Sequence, residues 1–115
     1  MSSKRTDQLL LQDILESAEK ILRYTEGMSF AEFQSNDLVA DAVMRNFGII
    51  GEAAYSLSKL FCDTHTEIAW SEIVAFRHRV VHHYFGLDYE IIWELLDKDL
   101  PILQRQIDSM LDQLS

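Results

Sequence analysis

Apolar residues recur along most of the chain at the three- and four-residue spacing that is typical of amphipathic helices. The first such segment predicts a helix from about Asp7 to Glu26. Thr6 or Asp7 can cap its start, and Gly27 can end it because glycine adopts the left-handed conformation at little cost. Its apolar face is predicted to contain Leu11, Ile14, Leu15, Ala18, Ile21 and Leu22.

A short segment and a second long helix follow. Ser29 and Glu32 have the spacing of a capping box, which predicts one or two helical turns before Gln34. Residues 35–37 give another start signal, and helical spacing then continues from Leu38 to about Phe61. The apolar positions there are Val39, Val43, Phe47, Ile50, Ala54, Leu57 and Phe61.

Two glycines lie inside this second long helix. Gly48 and Gly51 each cost about 1 kcal/mol relative to alanine in a helix interior. We interpret them as positions where a neighbouring helix approaches closely, which predicts that this helix is central. Residues 62–67 are expected to form a polar connection.

Two further helices are predicted in the second half of the chain. One begins near Trp70 and ends before Gly86, and its apolar positions are Ile73, Val74, Phe76, Val80 and Val81. Asp88 marks the start of the last helix, which runs from Tyr89 towards Leu114. Pro101 is expected to kink or split it, since proline removes a hydrogen bond and clashes with the preceding turn.

Composition supports an all-α class. No run alternates apolar and polar residues in the manner of a strand, and only four glycines and one proline occur in 115 residues. With 48% hydrophobic residues, the chain is expected to fold as a single domain, residues 1–115, with one modest core.

The charge balance limits the kinds of partner that the protein can have. The net charge of −9 argues against a protein that coats nucleic acid through general electrostatics, so any such contact must be local. Cys62 is the one cysteine, which suits a reducing cytoplasm. The apolar run near the N-terminus is too short for a signal peptide or a membrane span, and we expect a soluble cytoplasmic protein with no membrane contact.

Basic residues are concentrated in one stretch of this acidic chain. Two arginines and three histidines lie within residues 77–83. His82 can transfer a proton near neutral pH, and Arg77 can hold a phosphate in bidentate fashion. Tyr84 can donate a hydrogen bond or stack on a base. These groups suit in-line cleavage of RNA by the ribose 2′-hydroxyl, which needs acid–base catalysis and charge stabilisation but no metal.

Simpler interpretations of the same residues remain open. In an uninterrupted helix Arg77 and His82 lie about 140° apart around the axis, so a loosened last turn would be needed to bring them together. Arg79 can simply form a salt bridge with Glu72 or with an acidic residue on another helix. His78 and His82 have metal-ligand spacing, but no Cys- or Glu-containing motif supports a metal, and we expect none. From the residues alone, a solvated helix end is a better explanation than a ribonuclease site.

The pattern Arg77-x4-His82-x-Tyr84 resembles the signature of the HEPN superfamily, specifically its HepT-like toxins. Similar flanks extend the resemblance over nearly the whole chain: Ile50-Gly-Glu-Ala-Ala54 with Leu57-Ser58, Trp70 with Ile73, Tyr84 to Trp93, and Leu100-Pro-Ile-Leu103. The resemblance implies an up-and-down bundle of four to five helices that forms a homodimer. It also implies a catalytic cleft at the dimer interface, which would double the local positive potential.

The resemblance further implies a metal-independent, cofactor-free endoribonuclease that cleaves cellular RNA such as tRNA or mRNA. Arg77 and His82 would be the catalytic pair and Tyr84 the third motif residue. The implied partner is a minimal nucleotidyltransferase (MNT) antitoxin of a type VII-like toxin–antitoxin pair, which neutralises the toxin by transferring AMP to Tyr84. The phosphate of that AMP would fill the site that RNA needs.

Three other residues are assigned supporting roles. His78 stands where the family often has asparagine, and it is expected to assist RNA binding together with Arg79. Glu52 can orient the arginine side, although an ion pair at the edge of the core explains it equally well. The alternative function is a non-catalytic subunit that positions nucleotide or RNA for the nucleotidyltransferase. A third possibility is a structural helical dimer with a histidine-rich surface.

Overall fold

The computed structural model describes residues 6–82 and 88–114, apart from the side chains of residues 78–82. The described residues are almost entirely helical and contain no strand, which confirms the all-α prediction. The helices are α1 (Asp7–Tyr24), α2 (Phe30–Gln34), α3 (Asp37–Ser56), α4 (Lys59–Thr64), α5 (Trp70–His82), α6 (Tyr89–Glu94) and α7 (Leu100–Leu114), with a π turn (Leu95–Asp99) between the last two.

Helix α3 lies at the centre of the bundle, as predicted, although only Gly51 of its two glycines closely approaches another described helix. It packs extensively against α1 on one side and α5 on the other, and α1 packs in turn against α7. Fully buried side chains from α1, α3 and α7 fill the space between them, among them Ile14, Phe47, Ile50 and Ile107. Each such side chain contributes about 1.5–3 kcal/mol by leaving water. Phe76 of α5 is also buried and packs on Phe47, with the two ring centroids 5.2 Å apart, so the crossing of α3 with α5 is anchored in the core.

Local capping fixes the first turns where the sequence predicted them. The Thr6 side chain accepts a hydrogen bond from the Leu9 N–H at 3.2 Å, at the start of α1. α1 ends at Tyr24, two residues earlier than predicted, and Gly27 takes a φ of 75° shortly after. Ser29 and Glu32 form the predicted capping box of α2.

The prediction of one continuous helix from Leu38 to Phe61 is wrong. α3 ends at Ser56, Leu57 is extended, and Ser58 caps a separate helix α4 that occupies part of the predicted connection. A contact that is distant in sequence stabilises this break. The Asp7 carboxylate accepts hydrogen bonds from the backbone N–H of Ser58 at 2.8 Å and from its hydroxyl at 2.6 Å, across 51 residues. Helical periodicity cannot reveal such a contact.

Pro101 interrupts the last helix as predicted, by changing its type. The π turn Leu95–Asp99 immediately precedes α7, and Pro101 is the second residue of that helix. Proline has no N–H and its ring displaces the carbonyl four residues earlier, here that of Asp97. A π turn accommodates both effects without separating the two segments. Asp88 caps α6 as predicted, accepting from the Ile91 N–H at 3.2 Å.

Within residues 6–82 and 88–114, none of the helices combines the length and the apolar character needed to cross a bilayer.

Candidate functional site

The candidate site begins at the closest approach of α3 and α5. Gly51 of α3 faces the backbone of α5 so closely that a Cβ built there would lie 2.7 Å from the Arg77 nitrogen and 2.9 Å from the Arg77 Cβ. Real Cβ atoms are not found at such distances from backbone atoms. Gly51 therefore sets the position of Arg77 relative to α3, which confirms its predicted role in close helix packing.

Two side chains of α3 hold the Arg77 guanidinium. Its Nη1 donates a hydrogen bond to the Glu52 Oε2 at 3.0 Å, and its Cζ lies 4.0 Å from the centre of the Tyr55 ring. Glu52 and Tyr55 are three residues apart, so they lie on the same face of α3. The Arg77 side chain is 24% exposed, whereas that of Glu52 is 65% exposed. The guanidinium is thus pre-positioned at the protein surface.

The ion pair between Arg77 and Glu52 is weak enough for another anion to take the place of Glu52. The Glu52 carboxylate is mostly in water, so its pairing with Arg77 contributes at most about 1 kcal/mol. The Arg77 Nε is buried and has no hydrogen-bond partner among the described residues. A phosphate can form two parallel hydrogen bonds with a guanidinium. Glu52, in contrast, accepts one hydrogen bond from Arg77 through one carboxylate oxygen. The arrangement can therefore bind an anionic group in place of Glu52.

The remaining motif residues are only partly described. His78, Arg79 and His82 lie in α5, whose backbone is helical through His82, and their side chains fall outside the description. Because the helix is regular up to that point, the Arg77 and His82 positions differ by about 140° around its axis. Tyr84 lies outside the described residues. Catalytic roles for all of these residues stay predictions.

Gly48 and Tyr55 depart from the expectations drawn from the sequence. No described atom lies within 4 Å of a Cβ built at Gly48, so no close helix contact with the described residues explains this glycine. Tyr55 was not predicted as a site residue, although it stacks directly on Arg77. Two features of the sequence could have indicated Tyr55. It lies three residues after Glu52, and it is a polar aromatic residue at a predicted surface position.

A cleft on a different face of α5 is not suited to RNA. It has a volume of about 460 Å³ and lies between α5 and the segment formed by the π turn and α7. Glu67, Glu72 and Asp99 are among its lining residues, above apolar side chains that include Ile73 and Phe76. Three carboxylates in this small space would repel a phosphate backbone.

Cys62 is not an activated nucleophile. Its side chain is half-buried in α4. Burial raises the pKa of the thiol, and the negative charges of Asp7 and Asp63 raise it further. Since the thiolate is the reactive form, this thiol is held in its inert protonated state at neutral pH.

The described residues define an all-helical protein in which Glu52 and Tyr55 hold an arginine of α5 at the surface. A model of the ribonuclease HepT-like family matches residues 14–110. The chain is 35% identical over 109 residues to a protein of Caldanaerobacter subterraneus subsp. tengcongensis named "Putative RNase", covering 95% of this chain and 97% of that protein. It is 34% identical over 106 residues to a protein of Methanocaldococcus jannaschii with the same description, covering 92% and 97%.

A "Probable ribonuclease HepT" of Thermococcus cleftensis is 33% identical over 107 residues, which cover 93% of this chain and 97% of that protein. No solved structure matches the chain. The family match spans most of the chain, and these relatives align over nearly their full lengths. The chain therefore belongs to the ribonuclease HepT-like family, which confirms the resemblance seen in the sequence.

Proposed function

We propose that the protein is a metal-independent endoribonuclease and the toxin of a toxin–antitoxin pair, with Arg77 and His82 as its catalytic residues. The observation that carries the proposal is the Arg77 guanidinium, held at the surface between Glu52 and Tyr55 in a member of this family. Relatives of the chain carry the names "Putative RNase" and "Probable ribonuclease HepT", which supports the same reaction class.

The proposed reaction is transfer of the phosphoryl group within the RNA strand. The ribose 2′-oxygen attacks the adjacent phosphorus, the bond from phosphorus to the 5′-oxygen breaks, and the 2′-proton is lost. His82 exchanges protons with the attacking or leaving oxygen, and Arg77 stabilises the charge that develops on the phosphoryl oxygens. The products are a 2′,3′-cyclic phosphate and a 5′-hydroxyl. No metal takes part in these steps.

A homodimer would solve two problems of the single chain. Arg77 and His82 differ by about 140° around α5, so one copy does not present both positions on the same side. Two copies can combine Arg77 of one with His82 of the other. Pairing also concentrates positive charge on a chain whose net charge is −9, which favours contact with RNA.

Control of the toxin is proposed to act through Tyr84. An MNT-type nucleotidyltransferase antitoxin would transfer AMP from ATP to the Tyr84 hydroxyl, releasing pyrophosphate. The AMP phosphate would then bind where the RNA phosphate binds and block cleavage. The proposal also includes His78 and Arg79 as RNA contacts and Glu52 as the residue that orients Arg77, for which the 3.0 Å hydrogen bond gives support.

The direct test is RNA cleavage by the purified protein in the presence of EDTA. We expect cleavage that leaves cyclic phosphate ends, and its loss in Arg77→Ala and in His82→Ala, whereas the matched surface variant Arg23→Ala cleaves normally. Circular dichroism of each variant would establish that it is folded. Equal cleavage by all four proteins would refute the site. RNA binding without cleavage by the wild type would favour the non-catalytic subunit instead.

The control mechanism is tested separately by intact mass spectrometry. The protein is purified with and without an MNT-type nucleotidyltransferase encoded beside it. We expect a mass gain of one or more AMP units, which disappears in Tyr84→Phe. An unchanged mass would rule out this mode of control while leaving the ribonuclease reaction standing.

A further inference from the structure

Tyr55 both contacts an arginine and keeps most of its ring exposed. One face of its ring is in contact with the Arg77 guanidinium, whose Cζ lies 4.0 Å from the ring centre. The residue nevertheless remains 62% exposed. The contact with Arg77 therefore uses only part of the ring, and a large flat apolar surface lies directly beside the proposed phosphate-binding group.

Bracing of Arg77 alone does not account for this geometry. The free energy of a cation–π contact is largest when the pair is removed from water, and it is smaller when the ring is exposed. Glu52 already fixes Nη1 by a hydrogen bond on the same face of α3. A ring that served only as a brace would do so equally well with its outer surface packed against other side chains.

We propose that Tyr55 is a base-stacking subsite, in which the exposed surface of its ring receives an unpaired nucleobase next to the phosphate that Arg77 binds. The proposal rests on the ribonuclease function and specifies its substrate class. Aromatic rings and arginine planes are the groups on which proteins stack splayed bases of single-stranded RNA. The Tyr55–Arg77 pair offers both in one layered arrangement.

The subsite predicts which RNA is preferred. Stacking uses the π-face that every base possesses, so the subsite selects unpaired regions and not a particular sequence. Bases inside a duplex keep their faces stacked on one another and are not available. The protein should therefore bind loops and single strands in preference to fully paired RNA.

The test uses a single-stranded 2′-O-methyl oligoribonucleotide, which cannot be cleaved by attack of the 2′-oxygen, with the fluorescent base 2-aminopurine at successive positions. Stacking quenches 2-aminopurine, so fluorescence reports the contact independently of cleavage. The variants are Tyr55→Leu, which removes the ring, and Tyr55→Phe, which keeps it. Tyr24→Leu is the matched control, because Tyr24 is also exposed and lies beside an arginine, with Arg23 Cζ at 5.7 Å from its ring.

We expect quenching at one position of the oligonucleotide with the wild type, Tyr55→Phe and Tyr24→Leu, and its loss with Tyr55→Leu. Affinity should fall about tenfold in Tyr55→Leu, the value of one modest base–aromatic stack. Quenching that persists in Tyr55→Leu, or that never appears with the wild type, would overturn the proposal. Failure of the wild type to cleave ordinary RNA would instead count against the ribonuclease function, so the two failures are distinguishable.

Discussion

Two regions of the molecule place an arginine beside a tyrosine, and they are built in different ways. At the end of α1, Arg23 and Tyr24 are consecutive residues, both exposed, and the guanidinium lies 5.7 Å from the ring. At the α3–α5 crossing, Arg77 lies 4.0 Å from the ring of Tyr55 and is also bound to Glu52, 25 residues away in sequence. Only the second pair depends on the tertiary fold.

The difference shows how the fold can hold one arginine in a fixed position. Arg23 is exposed, and its aromatic neighbour is the next residue of the same helix end. Arg77 emerges from a backbone fixed against Gly51, and its guanidinium is held by two groups from another helix. A group held in this way loses less entropy when it binds a phosphate, which is the meaning of pre-organisation at a site.

The largest expected effect concerns the shape of the guanidinium. Replacing Arg77 by lysine keeps the charge but removes the planar fork that binds a phosphate in bidentate fashion and stacks on Tyr55. We expect RNA cleavage to fall roughly a hundredfold, as for removal of one donor to a transition-state oxyanion. Arg23→Lys, the control, should cleave like the wild type. Equal rates for the two variants, measured at saturating RNA, would remove the distinction between these arginines.

The next effect concerns the backbone contact beneath Arg77. In Gly51→Ala the new Cβ meets backbone atoms of α5, so the two helices must separate. We expect the free energy of unfolding, measured in urea, to fall by about 1–3 kcal/mol, which is the usual cost of overpacking. The rate of RNA cleavage should fall as well.

Two other glycines serve as controls for that change. In Gly48→Ala the new Cβ has no described atom within 4 Å. The free energy of unfolding should rise by about 0.5–1 kcal/mol, because alanine has the higher helix propensity. In Gly27→Ala the free energy of unfolding should fall by about 1 kcal/mol, because the φ of 75° is unfavourable for alanine. RNA cleavage should stay unchanged. A stabilised Gly51→Ala would show that the α3–α5 crossing is not close in solution.

The contrast between these regions also explains what could be predicted from the sequence. The caps of Thr6, Ser29 and Asp88 were predictable because they involve partners three residues away. The break after Ser56 was missed because the apolar spacing continues to Phe61 and because Asp7, which accepts two hydrogen bonds from Ser58, is 51 residues distant. Tyr55 was missed for the same reason, since its partner Arg77 belongs to another helix. The family resemblance identified Arg77, but only the fold reveals which groups surround it.

A smaller effect is expected from the charge of Glu52. In Glu52→Gln the side chain keeps an oxygen that can accept from Arg77, while the negative charge that competes with phosphate disappears. We expect binding of the non-cleavable oligonucleotide to strengthen about two- to fivefold, the equivalent of one exposed ion pair. Glu16→Gln removes the same charge from the exposed pair with Lys20 on α1 and should leave affinity nearly unchanged. If both variants bind RNA equally, the gain comes from net charge and not from the site.

The smallest effect lies in the locally built region, at the capping box of α2. Hydrogen bonds from Ser29 lower the pKa of the Glu32 carboxyl, because they stabilise its charged form. A lowered pKa in the folded state means stability that is present above the ordinary glutamate pKa and is lost as pH falls through the folded value. Glu32→Ala should therefore lower the urea midpoint slightly at pH 7 and not at all in strong acid. Since Glu32 is exposed and α2 packs on α3 and α6, RNA cleavage at pH 7 should stay at the wild-type rate. A loss of cleavage in this variant would mean that the two regions are coupled, and that the Arg77 site is not held by the α3–α5 crossing alone.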